Sequence, residues 1–167
     1  MVAFEENSGN TYFTTDDAVT STTQTLAAGI IATSNWSVVS VTYAAGLSLF
    51  VMIVYEKVAL VFKTYTSPDA VTWTLVSSPA TEIHPHVIGS VGTLLVLYGT
   101  KLPGGSPRAK FFLSVDSGAT WRETDGQGQS MTAFCNGKIN TDGQRILMNN
   151  EDHYFRSAFS AGLPTII

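Results

Sequence analysis

Glu82, His84 and His86 alternate along the chain, so on a strand all three would face the same way. With His153 they would make a set of imidazole and carboxylate donors able to ligate a metal. The spacing demands little, and a polar strand edge beside Pro85 accounts for the same residues. No metal and no cofactor is therefore expected. Cys135 is the only cysteine, which excludes an intramolecular disulfide and a multi-cysteine zinc site. It reads as a small buried hydrophobe. The 13 acids show no pair converging across a cleft, as a glycosidase would need. Asp16–Asp17, Glu5–Glu6 and Glu151–Asp152 are adjacent and read as solvated turn residues. The stretch from Lys101 to Lys110 is rich in Gly and Pro and carries Lys101, Arg108 and Lys110. It is the best contact loop in the sequence, and a solvated hairpin tip fits it equally well. Asp125-Gly126-Gln127-Gly128-Gln129 lacks the spacing of a phosphate loop.

The elements that must position these residues read as strands. The chain has 167 residues, 44% of them hydrophobic, which excludes a disordered chain. Charged residues are only 13%, about half the usual share. Thr and Ser together number 37. Nine Lys and Arg without a basic cluster argue against a nucleic-acid binder. Apolar runs of four to seven residues, rich in Val, Ile, Leu, Phe and Tyr, alternate with Gly, Pro, Asn, Asp and Ser, and no helical period appears. Strands are expected at 12–15, 36–43, 49–55, 58–65, 87–90, 93–98, 110–114, 130–134, 145–149 and 153–157. Phe50-Val51-Met52-Ile53-Val54 is apolar on both faces and must be covered on both sides. The apolar stretch 47–62 is interrupted by Glu56 and Lys57, so it predicts two strands with a bend rather than a membrane span. The first residues have neither a basic nor an apolar leader region, so no targeting segment is expected.

One pattern recurs. Ser67-Pro68-Asp69-Ala70-Val71-Thr72-Trp73 has a relative in Ser114-Val115-Asp116-Ser117-Gly118-Ala119-Thr120-Trp121. A weaker copy upstream, Thr15-Asp16-Asp17-Ala18-Val19-Thr20-Ser21, lacks the Trp, and a worn one at 157–162 lacks both Asp and Trp. Anchors at 17, 69, 116 and 159 are 52, 47 and 43 residues apart, about one four-stranded unit each. An aromatic strand precedes each copy, and a Gly or Asp-Gly turn opens the later units. The unit is strand, Gly turn, strand, loop, strand, Asp turn and Trp strand, a four-stranded antiparallel meander like one β-propeller blade.

Ser-x-Asp-x-Gly-x-Thr-Trp at 114–121 resembles the Asp-box, or BNR repeat, of sialidase-like β-propellers and of bacteriophage tail proteins. Residues 67–73 are similar to its one-residue-shorter variant, with Ala70 where Gly is usual. The resemblance implies an all-β array of about 3.5–4 blades in one domain, with units near 1–36, 37–84, 85–129 and 130–167. It implies structural roles for Thr15, Asp17, Ser67, Asp69, Trp73, Ser114, Asp116, Gly118 and Trp121, on a rim away from any ligand face. The carboxylates would accept turn N–H groups, Gly118 would supply a permissive φ, and the Trp rings would pack between sheets. Trp36 falls about where the preceding unit ends and would play the same packing part.

A sialidase-like site would need three converging Arg, because a guanidinium matches a carboxylate in shape and charge. Of Arg108, Arg122, Arg145 and Arg156, none lies in a recognisable family motif, and two adjoin box sequences. No catalytic residue is assigned. Set against its repeat, the chain falls at the edge of what can close as a ring, so an open arc covered by another copy or another protein is favoured. The expectation is a non-enzymatic structural or binding module of a larger assembly, most like a bacteriophage virion protein (tail fibre, tail tip or capsid decoration). Its partners would be other virion proteins and copies of itself, with a surface glycan or receptor as a further ligand, and neither nucleic acid nor membrane insertion. The competing expectations are a glycosidase-like enzyme fragment and a soluble bacterial assembly factor.

Overall fold

In a computed structural model the chain is described at residues 2–4, 10–13, 22–25, 36–77, 83–101, 108–124, 138–141, 146–150 and 153–157. Side-chain environments are described within 36–77, 83–100 and 110–123. The described residues are mostly β, arranged as four antiparallel sheets that follow one another along the chain. The first has three strands, β1 (Val2–Phe4), β2 (Asn10–Phe13) and β3 (Thr22–Thr25). The second has four, β4 (Trp36–Ala44), β5 (Leu49–Glu56), β6 (Val61–Ser67) and β7 (Thr74–Ser77). The third also has four, β8 (Ile83–Val91), β9 (Leu94–Lys101), β10 (Arg108–Ser114) and β11 (Arg122–Thr124). The fourth has β12 (Lys138–Thr141), β13 (Ile146–Asn150) and β14 (His153–Ser157). Each sheet is a meander in which strands pair with their sequence neighbours.

The composition of β5 and β9 explains why sheets stack. Val51 to Glu56 are all buried, as are Leu95 to Thr100, so both faces of each strand are covered. Alternation sends Val51, Ile53 and Tyr55 into a core with Phe62, Ile83, Ile88, Leu95, Leu97 and Phe112, between the second and third sheets. Met52 and Val54 point the other way, into a second cluster with Val38 and Tyr65, flanked by Trp36, Val41 and Trp73. The first strands of consecutive sheets are neighbours: β4 lies beside β8, and β8 beside β12. A hydrogen bond ties the first pair, the Ile88 N–H donating to Ser40 Oγ at 3.2 Å.

A meander places its first-to-second and third-to-fourth connections at one end and its second-to-third connection at the other. At the first end, the turn of residues 45–48 meets the turn at Gly92. A Cβ on Gly46 would stand 2.4 Å from the Gly92 carbonyl carbon, so only glycine permits this backbone contact. At the other end, Glu56 ends β5 by turning its carboxylate onto the N–H groups of Val58 (3.1 Å) and Ala59. That capture explains why β6 begins at Val61 and not at residue 58, as the apolar run suggests. Two further differences have local causes. The strand carrying His84 and His86 starts at Ile83 because a register shift between Pro85 and Val87 accommodates a residue without an N–H. Trp36 opens β4 instead of closing the preceding unit, with Lys63 Nζ 4.1 Å above its ring. The strand expected at 130–134 and Cys135 lie outside the described residues.

Candidate functional site

The two recurring motifs form the third-to-fourth connections of the two four-stranded sheets, β6 to β7 and β10 to β11. In the first, Asp69 Oδ1 accepts the N–H groups of Val71 (2.9 Å) and Thr72 (2.8 Å) and the Ser67 hydroxyl (2.9 Å). Those bonds hold its carboxyl below the usual range, the Thr72 N–H acting most strongly. In the second, Asp116 Oδ1 accepts the Thr120 N–H (2.9 Å) and the Ser114 hydroxyl (2.7 Å), while Oδ2 accepts the Thr120 hydroxyl (2.6 Å). Desolvation pushes the Asp116 carboxyl up, but the bonds from Thr120 and Ser114 outweigh it and its pKa is lowered. Ala70 and Ser117 hold matching left-handed backbones, φ 60° and 59°, and Gly118 follows at 89°.

The second turn also grips the neighbouring sheet. Ser77 of β7 donates its hydroxyl to the Gly118 carbonyl at 2.6 Å, and the Trp121 indole N–H donates to Thr64 Oγ1 on β6 at 3.0 Å. The Trp121 ring meets Phe62 edge-on at 6.0 Å. A Cβ on Gly118 would come within 2.7 Å of the Thr64 methyl, so the turn sits directly on β6. Trp73 flanks the other cluster, and its buried Nε1 has no hydrogen-bond partner among the described residues. The bonds of the first turn stay within it, and those of the second also tie two sheets together. Thr15 and Asp17, and most of the copy at 157–162, lie outside the described residues.

The contact loop is shorter than the sequence suggests, because Lys101 and Arg108 pair in register as the ends of β9 and β10. Lys110 lies within β10 and forms an ion pair with Glu123 Oε1 at 2.8 Å, so it belongs to the sheet and not to a loop tip. Arg122 lies on β11 and Arg156 on β14, in separate sheets.

The opposite end holds a group of polar aromatics that motif spacing alone does not reveal. The His84 ring meets Tyr55 of β5 edge-on at 4.7 Å and lies 4.9 Å from the His86 ring. His86 lies 5.6 Å from the Tyr98 ring, and its Nε2 is 2.7 Å from Thr100 Oγ1. Burial, aided by His84, lowers the His86 pKa to about 4. Burial, and next the Lys57 charge, lower that of His84, so both rings are neutral at ordinary pH. Burial and the Glu56 charge raise the Tyr55 pKa. Tyr55 Oη and His84 Nδ1 are buried without a hydrogen-bond partner among the described residues. Glu82 lies outside the described residues, and His153 is described only as the first residue of β14. Among the described residues no three His, Cys, Asp or Glu side chains gather, and no helix is long and apolar enough to cross a membrane.

The chain has no significant match to any protein-family model or to any curated protein sequence.

Proposed function

We propose that the chain is a non-enzymatic β-propeller-type module with Asp-box turns, serving as a structural or binding part of a larger assembly. The observation that carries this reading is the packing of each four-stranded meander's first strand beside the next one's, with the Ile88–Ser40 bond between β4 and β8. A radial array of blades has that arrangement. Its turn chemistry fits as well, since both boxes lie at one end and the second is bonded to the preceding sheet.

Within this reading the assembly most like it in style is a bacteriophage virion, with copies of the chain and other virion proteins as partners and a surface glycan or receptor as a further ligand. That step rests on likeness of fold and composition. Light scattering on the purified full chain tests it: a stable homo-oligomer is the expected result, and a monomer across the accessible concentration range overturns it in favour of a solitary assembly factor. Turnover on sialyl or other glycosyl substrates would overturn the non-enzymatic part.

A further inference from the structure

Buried polar atoms without partners are rare in folded proteins and call for an explanation, such as a bound water or ion. Two of the three among the described side chains, Tyr55 Oη and His84 Nδ1, belong to rings in contact. Each such atom loses its hydration without a compensating bond when left bare. Tyr55 is 2% exposed, so bulk water does not relieve it.

We propose that His84 and His86, with the Tyr55 phenol beside them, form a binding site for one late first-row divalent cation, of the Zn²⁺ or Cu²⁺ class. The proposal is independent of the propeller reading. Residues two apart on a regular strand are separated by roughly 6.7 Å, but the register shift between Pro85 and Val87 brings these two rings together. Their centres are 4.9 Å apart with planes at 54°. Two imidazoles sharing one ion through bonds of ~2.0–2.1 Å at a near-tetrahedral angle have centres roughly 5 Å apart. Thr100 supplies the outer support such a ligand needs. When its Oγ1 accepts the His86 Nε2 proton at 2.7 Å, the lone pair is fixed on Nδ1. Imidazole and phenol suit Zn²⁺ and Cu²⁺ better than Mg²⁺ or Ca²⁺, which take carboxylate and carbonyl oxygens. Glu56 is engaged by its own turn and is not a ligand. No third His, Cys, Asp or Glu joins the pair among the described residues. The Lys57 charge acts on His84 and opposes cation binding.

The test is calorimetric titration of the full chain with ZnCl₂, with electron paramagnetic resonance of the Cu²⁺ form as second readout. One ion per chain and nitrogen hyperfine coupling from two imidazoles are expected. H84Q and H86Q should each weaken binding at least tenfold, and T100V by about tenfold through the lost support. K57Q should tighten it. Absence of saturable binding at millimolar Zn²⁺ would overturn the proposal. Affinity unchanged in H84Q/H86Q would overturn it too, by placing the ion elsewhere. Should the histidine variants not fold, as judged by circular dichroism, K57Q decides: tighter binding supports the site, and unchanged or weaker binding counts against it.

Discussion

At one end of the two four-stranded sheets, Ser67, Asp69, Ser114, Asp116 and Thr120 are knitted into short hydrogen bonds. At the other end, His84 and Tyr55 bury two polar atoms in one contact that no described residue meets, where the first end leaves one, Trp73 Nε1. Both ends are made by the same strands, so the contrast is one of purpose. Satisfied polar groups fix a single arrangement and add rigidity. Buried groups left bare cost stability, and they persist where something else compensates. The box end reads as construction and the histidine end as the place where binding chemistry can reside.

The comparison breaks most visibly at Trp121. Trp121→Ala removes the ring packed on Phe62 and the bond to Thr64, and should destabilise the fold by about 3 kcal/mol, the low end for a large aromatic, because the ring is partly exposed. Trp121→Phe leaves the buried Thr64 hydroxyl unpaired and should cost about 1–3 kcal/mol. Trp73→Phe removes an N–H that has no described partner and should cost clearly less. Urea midpoints for the three variants check the order, and equal costs for the two Phe variants would contradict the assigned roles.

Acid sharpens the contrast next. Asp69 and Asp116 both titrate below the ordinary carboxylate value in the folded chain. The unfolded chain therefore takes up these protons first as pH falls. Their contribution is complete above the unfolded carboxylate range and is lost as pH drops through the folded values. Thermal melting from pH 6 downward should show a loss of stability below about pH 4, where free carboxylates protonate. Asp69→Asn with Asp116→Asn should lower stability at neutral pH and flatten that acid limb; an unchanged limb would place the acid response elsewhere.

The box end was legible in the sequence because its chemistry is local. An Asp bonding residues two to four places away leaves its mark in one short motif, and the repeat spacing adds the meander. The two-faced burial of β5 was legible for the same reason, in a run of apolar residues. The histidine end was legible only as the pairing of His84 and His86 on one strand face. His84 and His86 alternate, but their approach depends on a register shift at Pro85, and Tyr55 arrives from another sheet. Polar strands followed from the repeat and not from hydropathy: Thr22–Thr25 has no apolar alternation, and Thr74–Ser77, the strand expected after the Asp turn, buries too little to betray itself. The extent of β6 escaped notice because Glu56 consumes the turn's N–H groups by a side-chain bond that hydropathy does not register.

At the histidine end the expected sign reverses. Tyr55→Phe removes a buried hydroxyl without a described partner while keeping the ring against His84. In metal-free buffer it should be neutral or stabilising by up to about 1 kcal/mol, since replacing an unpaired polar group by a matching apolar one relieves desolvation. A loss above that size would mean that the phenol is already bonded in solution.

The smallest effect is expected where two costs oppose each other. Ala70 holds φ 60° with its methyl buried, the same backbone as Ser117 in the second turn. Ala70→Gly relieves about 1–2 kcal/mol of left-handed strain. It also loses a buried methyl worth about 0.8 kcal/mol and frees the unfolded backbone by about 0.4–1 kcal/mol. The net change should lie near zero. Ser117 holds the same backbone with a less buried side chain, so Ser117→Gly should fall further toward stabilisation. Ala70→Val keeps the strain, adds a branch at a buried site and should clearly destabilise. Melting temperatures ranked Ser117→Gly, then Ala70→Gly, then Ala70→Val would show that the first box tolerates alanine through burial and not through a relaxed turn.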